Sequence, residues 1–301
     1  MGRLLNMGMQ NACIRYGCLI LVWVSSLHSQ NTVSTKDYED LREMLAPLQV
    51  PLSEPGPEDW LSLYREHGQT FEEYKATYNP MRYGTGTIYL KKMGQFNSQE
   101  NLVFEKVKEY LNVFFQQEVE VLTPHLLDHV PDRFKRQRFG HEQVMTPFIF
   151  SEMSFADQDD RLAYLALTNV DMYPNQSMNF VFGEADYQSR IGITSMYRLL
   201  SIENDSVDVS ESAVQIAKTA SHEIGHMLGF NHCIAFGCLM NGANNEEEAK
   251  RQPMNFCEEC TLKLFWALEL DFTKRVKDLE RLWETWGFPG NARYYQKCYR
   301  Q

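Results

Sequence analysis

The chain has no apolar run long enough to cross a bilayer. The run at 18–27 (CLILVWVSSL) is shorter than the ~17–20 apolar residues a membrane helix needs, and Ser25, Ser26 and His28 break it further. No stable membrane span is therefore expected. Positive charge is scarce as well: 29 Lys and Arg stand against 40 Asp and Glu, a net charge of −11. That excludes the pervasive basic field of a nucleic-acid binder and points to protein, peptide or small-molecule partners. Low-complexity tracts and internal repeats are missing. With 44% hydrophobic and 23% charged residues, the composition is globular rather than disordered or collagen-like. Cysteine is sparse too, but four of the seven, Cys233, Cys238, Cys257 and Cys260, fall in one short segment beside a histidine cluster.

Four stretches follow along the chain. Residues 1–30 carry Arg3 and Arg15 ahead of the apolar run, the layout of a secretory signal or of an apolar N-terminal helix. The chain is secreted if residues 1–29 act as a signal. Sequons at Asn175 and Asn204 leave the compartment open, since a chain of this composition holds about two by chance. Residues 31–84 form an N-terminal extension, polar and Pro-punctuated, with Leu41, Met44 and Leu45, then Trp60, Leu61 and Tyr64, at the spacing of short helices.

Residues 85–270 form the main domain. Thr87 to Leu90 are β-prone, and Val103, Val107, Tyr110, Leu111 and Phe114 make a helical stripe. Residues 119–122, 162–168, 179–183 and 191–197 read as strands, so a mixed α/β sheet is expected. A long helix starts at Ser210, runs through Ala213, Val214, Ala217, Ile224 and Leu228, and ends at Gly229. Residues 271–301 form a C-terminal helical tail. Leu262, Leu264, Phe265 and Leu268, then Val276, Leu279, Trp283 and Trp286, predict two amphipathic helices closed by Gly287 and Pro289.

The chemistry sits at the end of the long helix, which reads HEIGHMLGFNH. His222 and His226, four apart, share a helical face and can reach one ion. Glu223 is rotated off that face, near enough to take a proton from a metal-bound water without ligating. A third ligand, His232, comes six residues after His226, too far along the axis if the helix continued; Gly229 tolerates the positive φ that turns the chain back. Three nitrogen ligands leave an open fourth zinc position, the mark of a catalytic site. The full pattern arises by chance about once in forty thousand such chains, against about once in fifty for His-Glu-x-x-His alone, so metal binding outweighs a bland amphipathic helix.

Cys233 and Cys238, with Cys257-x-x-Cys260, have a spacing that places four thiolates around a second, closed and hence structural zinc. Two disulfides are the competing reading, favoured if the chain is secreted. Two zinc ions are thus expected, one catalytic and one structural.

The run HEIGHMLGFNHC, with Cys238-x-Met240 and Cys257-x-x-Cys260, resembles the archaemetzincins, a branch of the metzincin zinc peptidases. Trp60 after PED, Ile88-Tyr89-Leu90, Asp171-Met172-Tyr173-Pro174 and the 179–183 run extend the likeness over roughly residues 55–285. The resemblance implies an α/β (α+β) metzincin-like fold: a mixed twisted sheet over an active-site helix, a Met-turn at Met240, a four-cysteine zinc subsite and C-terminal helices. It also implies an intracellular, cytoplasmic protein. Peptide or protein substrates follow, with Asn179, Phe180, Val181, Phe182 and Gly183 as the edge strand on which they pair.

The expected activity is peptide-bond hydrolysis by a zinc-activated water with Glu223 as general base. An aminopeptidase would need an acidic anchor for the free amine, for which Glu184 is a weak candidate. The alternative is a catalytically weak, zinc-stabilised peptide-binding or scaffold protein; Glu223 favours the enzyme, because a scaffold has no chemical need of it.

Other groups carry less. His125 and His129 lack a third ligand and read as a solvated helix face; Arg133, Lys135, Arg136 and Arg138 read as a solvated turn; Asp171 reads as a strand-end cap; Trp283 and Trp286 read as core.

Overall fold

The computed structural model describes residues 35–77, 86–153, 161–203 and 206–300. The apolar run at 18–27 lies outside these residues, and so does Asn204. Among the described residues no helix is long and apolar enough to cross a membrane.

Three short helices come first: α1 (Thr35–Leu45), α2 (Trp60–Leu63) and α3 (Phe71–Thr77). The alternating part follows as β1 (Thr87–Met93), α4 (Ser98–Phe115), β2 (Glu118–Val121), β3 (Lys135–Arg138), β4 (His141–Met145), α5 (Thr146–Glu152), β5 (Arg161–Thr168) and β6 (Asp171–Tyr173). Next are β7 (Gly183–Asp186), β8 (Ile191–Ser195), β9 (Ser201–Glu203), β10 (Ser206–Asp208) and the long helix α6 (Val209–Met227). Helices α7 (Glu246–Arg251), α8 (Glu258–Ala267), α9 (Phe272–Trp286) and α10 (Pro289–Lys297) complete the chain.

The main sheet has five strands in the order β2-β1-β5-β8-β7. All pairs are parallel except β7 with β8, which puts one antiparallel strand at the edge. The expected mixed α/β sheet is present. Its central strand β5 is buried along nearly its whole length, as a parallel strand covered on both faces must be. Alternation sorts its side chains into two cores. Leu165 and Leu167 join Ile88, Leu90 and the inner faces of α4 and α6, whereas Tyr164 and Ala166 join Tyr89, Ile193 and Ile149 of α5. Each such aliphatic or aromatic side chain removed from water contributes about 1.5–3 kcal/mol.

Helix ends obey local chemistry. Asn97 and Glu100 form a reciprocal capping box at α4, and Asp208 caps α6 by accepting from Ser210 and Glu211 N–H groups. Gly287 ends α9 with φ 86°, the left-handed turn glycine adopts without strain.

Several expectations change. Residues 179–182 form no strand: Val181 makes only an isolated bridge to Met172, and the edge strand is β7, sharing just Gly183 with the expected run. At the start of that run, side chains occupy the groups a strand partner would take. Arg136 donates to the carbonyls of Met178 and Asn179 at 2.7 and 2.8 Å, and Arg138 donates to the Asn179 side chain at 2.5 Å. The basic group is therefore no solvated turn: Arg133 sits in a short 3-10 turn, and Lys135, Arg136 and Arg138 lie on β3, with the Arg136 guanidinium 3.8 Å above the Tyr173 ring. His125 and His129 sit on no helix, and His125 pairs with Glu152 at 3.2 Å. Asp171, 1% exposed at the start of β6, accepts from the Met172 N–H at 3.1 Å and also holds Arg198 in a two-pronged ion pair at 2.7 and 2.8 Å. Pro289 does not close the tail: it opens α10 at the first turn, where its missing N–H is not needed. Trp283 and Trp286 are core, at 0% and 5% exposure.

Candidate metal centre

Helix α6 packs against β7 and β8 and delivers His222, Glu223 and His226 to one side of a cleft of about 390 Å³. Gly229, at φ 86°, then reverses the chain, and Phe230 N–H bonds back to the Gly225 carbonyl at 3.0 Å. His232 returns to the other two. The three ring centroids lie 4.6, 4.9 and 5.1 Å apart, and one ligand atom from each ring falls within 4.8 Å of the others.

Each ring is held from behind. His222 Nδ1 lies 2.9 Å from the Leu239 carbonyl, His226 Nδ1 lies 2.7 Å from the Phe230 carbonyl, and His232 Nδ1 lies 2.8 and 3.0 Å from the two Glu66 oxygens. Carbonyls and carboxylates only accept, so all three Nδ1 atoms carry the proton. Their Nε2 lone pairs then converge, with those of His222 and His226 only 2.9 Å apart. Bare lone pairs facing each other repel; a cation between them turns that repulsion into ligation. Neutral imidazoles with Nδ1–H engaged are the form a metal requires. Burial, the larger cause, and the neighbouring histidines hold His222 well below the usual histidine range and His226 at about 4. The donor set fits zinc.

Glu223 is 5% exposed and backs onto β7. A Cβ at Gly183 would stand 2.7 Å from the Glu223 carboxyl carbon, so the strand approaches the carboxylate only because residue 183 is glycine. Burial first, and the charge of Glu184 second, push the Glu223 carboxyl well above the usual carboxylate range. Glu184 itself lines the cleft, accepts from the Thr146 hydroxyl, and is raised by burial.

Met240 lies fully buried under α6. A Cβ at Gly225 would stand 3.1 Å from Met240 Cε, so that glycine opens the space for the methionine floor. The preceding residue supplies the carbonyl that fixes His222. Next door, Cys233, Cys238, Cys257 and Cys260 also converge within 4.8 Å. Cys233 and Cys257 sulfurs are 3.7 Å apart, far beyond the ~2.05 Å of a disulfide, and all four are free. Cys238 Sγ accepts two backbone N–H groups, from Cys257 at 3.2 Å and Met240 at 3.4 Å, as a thiolate ligand does. The four thiols fit a closed tetrahedral metal site.

Asn179, Phe180, Val181 and Phe182 lie outside any strand. Phe180, Val181 and Phe182 line the cleft mouth beside Gly183. The free edge begins at β7. Ser195 N–H bonds to Phe182 O, so antiparallel alternation turns Glu184 and Asp186 inward to β8 and leaves the backbone groups of Gly183 and Ala185 facing the cleft. Two residues escaped the sequence reading in their roles: Glu66, behind His232, and Trp60, whose ring stands edge-on to His232 at 5.3 Å. Trp60 belonged to a recognisable segment; nothing local distinguishes Glu66.

The description Peptidase family M54 matches residues 134–265. The chain is similar to archaemetzincin-2 of Homo sapiens, 28% identical over 305 residues, covering 85% of this chain and 84% of that one. It is similar to archaemetzincin of Pyrococcus abyssi, 30% identical over 128 residues, covering 42% of this chain and 68% of that one. Among solved structures, archaemetzincin from Archaeoglobus fulgidus complexed with malonate superposes with TM-score 0.47 at 29% identity, over 59% of this chain and 99% of that one.

Proposed function

This chain belongs to the archaemetzincins, peptidase family M54, and is a zinc metallopeptidase; from that premise we propose that His222, His226 and His232 hold the catalytic zinc and Glu223 is the general base. Zinc bound there supplies a Lewis acid that lowers the pKa of water and polarises a carbonyl. Everything else falls to the chain. The glutamate carboxylate takes the proton of the attacking water and returns it to the leaving amine nitrogen. An extended peptide pairs its main chain with Gly183 and Ala185 on β7, next to that carboxylate. Burial of Glu223 behind the strand keeps bulk water from competing for its proton. Met240 provides a soft apolar floor, and the four cysteines hold a second, structural zinc.

The observation that carries this reading is the convergence of three Nε2 lone pairs on a cleft wall beside a carboxylate. The test is turnover of quenched peptide libraries by wild type and Glu223→Ala, with zinc measured in both. General-base catalysis predicts a loss of about 10²–10⁴-fold at unchanged zinc content. Equal turnover by the two proteins sinks the assignment of the base.

A finer reading is aminopeptidase action, supported by Glu184, a carboxyl on the cleft wall whose partner is the Thr146 hydroxyl rather than a cation. It would receive the free α-amine of the substrate. Peptides acetylated at the N-terminus then become poor substrates; equal cleavage of blocked and free peptides argues for endopeptidase action.

A further inference from the structure

The three histidines are not held alike. His222 and His226 ride on α6 and donate to carbonyls from the segment just beyond it, Leu239 and Phe230. His232 has no helix beneath it, since it lies in the irregular run after Gly229. Its Nδ1 meets a carboxylate instead, that of Glu66, 166 residues earlier in the chain. We propose that Glu66 is a positioning residue for the metal centre: it fixes the tautomer and ring plane of His232, so that residues 60–66 complete the site from outside the peptidase core. The inference rests on the reading of the three histidines as the zinc site and adds a residue that the motif does not contain.

Three observations support it. First, the carboxylate is bifurcated on Nδ1, at 2.8 and 3.0 Å, with side-chain exposures of 16% for His232 and 23% for Glu66. The contact is thus partly shielded from solvent. Second, Glu66 is itself held. Trp60 Nε1–H donates to the same oxygen at 2.9 Å, while the Trp60 backbone N–H lies 2.9 Å from both oxygens of Glu248. A Cβ at Gly242 would come within 2.6 Å of the Trp60 ring, so the indole is wedged in place. The platform under the carboxylate is therefore rigid. Third, Glu66 is the one charged acceptor behind the three rings, the other two being carbonyls, so it contributes a negative charge near a dication whose three ligands are all neutral. Outer partners of this kind alter metal affinity by about 10–100-fold.

A merely structural Glu66 would pin the N-terminal segment to the domain and leave metal affinity alone. Another contact that pins the same segment, Asp59 with Arg251 at 2.7 Å, provides the comparison. The experiment uses the full chain. Zinc affinity of the weaker-binding site is measured by chelator competition, with the absorption spectrum of the cobalt-substituted protein and the melting temperature, in wild type, Glu66→Ala, Glu66→Gln and Asp59→Asn.

Positioning predicts a 10–100-fold loss of affinity and an altered cobalt spectrum in Glu66→Ala. Glu66→Gln, whose amide oxygen still accepts from Nδ1, loses less. Asp59→Asn lowers the melting temperature while affinity stays within twofold. If Glu66→Ala does not fold, the near-isosteric glutamine variant decides. Zinc bound by the folded Glu66 variants as tightly as by wild type, with an unchanged cobalt spectrum, overturns the proposal. A wild-type chain that holds zinc on its cysteines and none on its histidines overturns the site reading itself, before any variant is compared.

Discussion

Cys233, Cys238, Cys257 and Cys260 are 8%, 0%, 2% and 1% exposed, whereas His222, His226 and His232 are only half-buried and open onto the cleft. One peptide bond, between His232 and Cys233, separates the two groups. The thiols are packed into the main core and one of them, Cys238, accepts two backbone N–H groups, which suits a site that binds its ion for good. The rings are braced from behind by one acceptor each and face space in front, which suits a site that must admit water and substrate. Burial is what separates the proposed structural cluster from the proposed catalytic one.

That contrast can be broken in three places. The largest effect is expected from Cys238→Ser, which removes a fully buried thiol of the proposed structural zinc site that two N–H groups already solvate. A structural zinc contributes about 10–16 kcal/mol in small zinc-dependent peptides, as much as the ~5–15 kcal/mol stability of a whole domain. Cooperative unfolding in far-UV circular dichroism should disappear; a melt like that of the wild type would end the distinction. Next comes His226→Ala. Peptide turnover should fall to background and zinc content drop, while the melting temperature moves only a few degrees, since ~1 kcal/mol corresponds to roughly 2–4 °C for a domain of this size. A collapse as complete as that of the cysteine variant would make the histidine cluster structural too. The smallest effect is expected from Gly183→Ala, which crowds Glu223 without touching a ligand. The carboxylate must shift to make room, so turnover should drop roughly tenfold at unchanged zinc content, equivalent to ~1.4 kcal/mol on the barrier.

The histidine side of the comparison was legible because its signals are local. The i, i+4 pair and Gly229 sit within eleven residues, and both the helix and the left-handed exit follow from them. Convergence of the four cysteines was legible from spacing alone. The braces behind the rings were not. Leu239 and Phe230 contribute carbonyls, which every residue possesses, and Glu66 acts across 166 positions. The substrate edge was misplaced by four residues because 179–182 has a strand-like sequence, while Arg136 takes the Asn179 carbonyl and Arg138 its side chain from a distance. The last helix was missed because proline marks a helix start as readily as an end.

The close approach of Gly183 to Glu223 makes β7 a ruler. A peptide laid along the edge as proposed would be held by main-chain bonds spaced two residues apart, and Glu223 would stand at a fixed mark on that scale. Sliding the peptide by one residue would turn every side chain to the opposite face; sliding it by two restores the pairing and presents a different bond. On the proposed pairing, where a substrate is cut would be set by counting along its backbone, with its side chains choosing among the allowed marks.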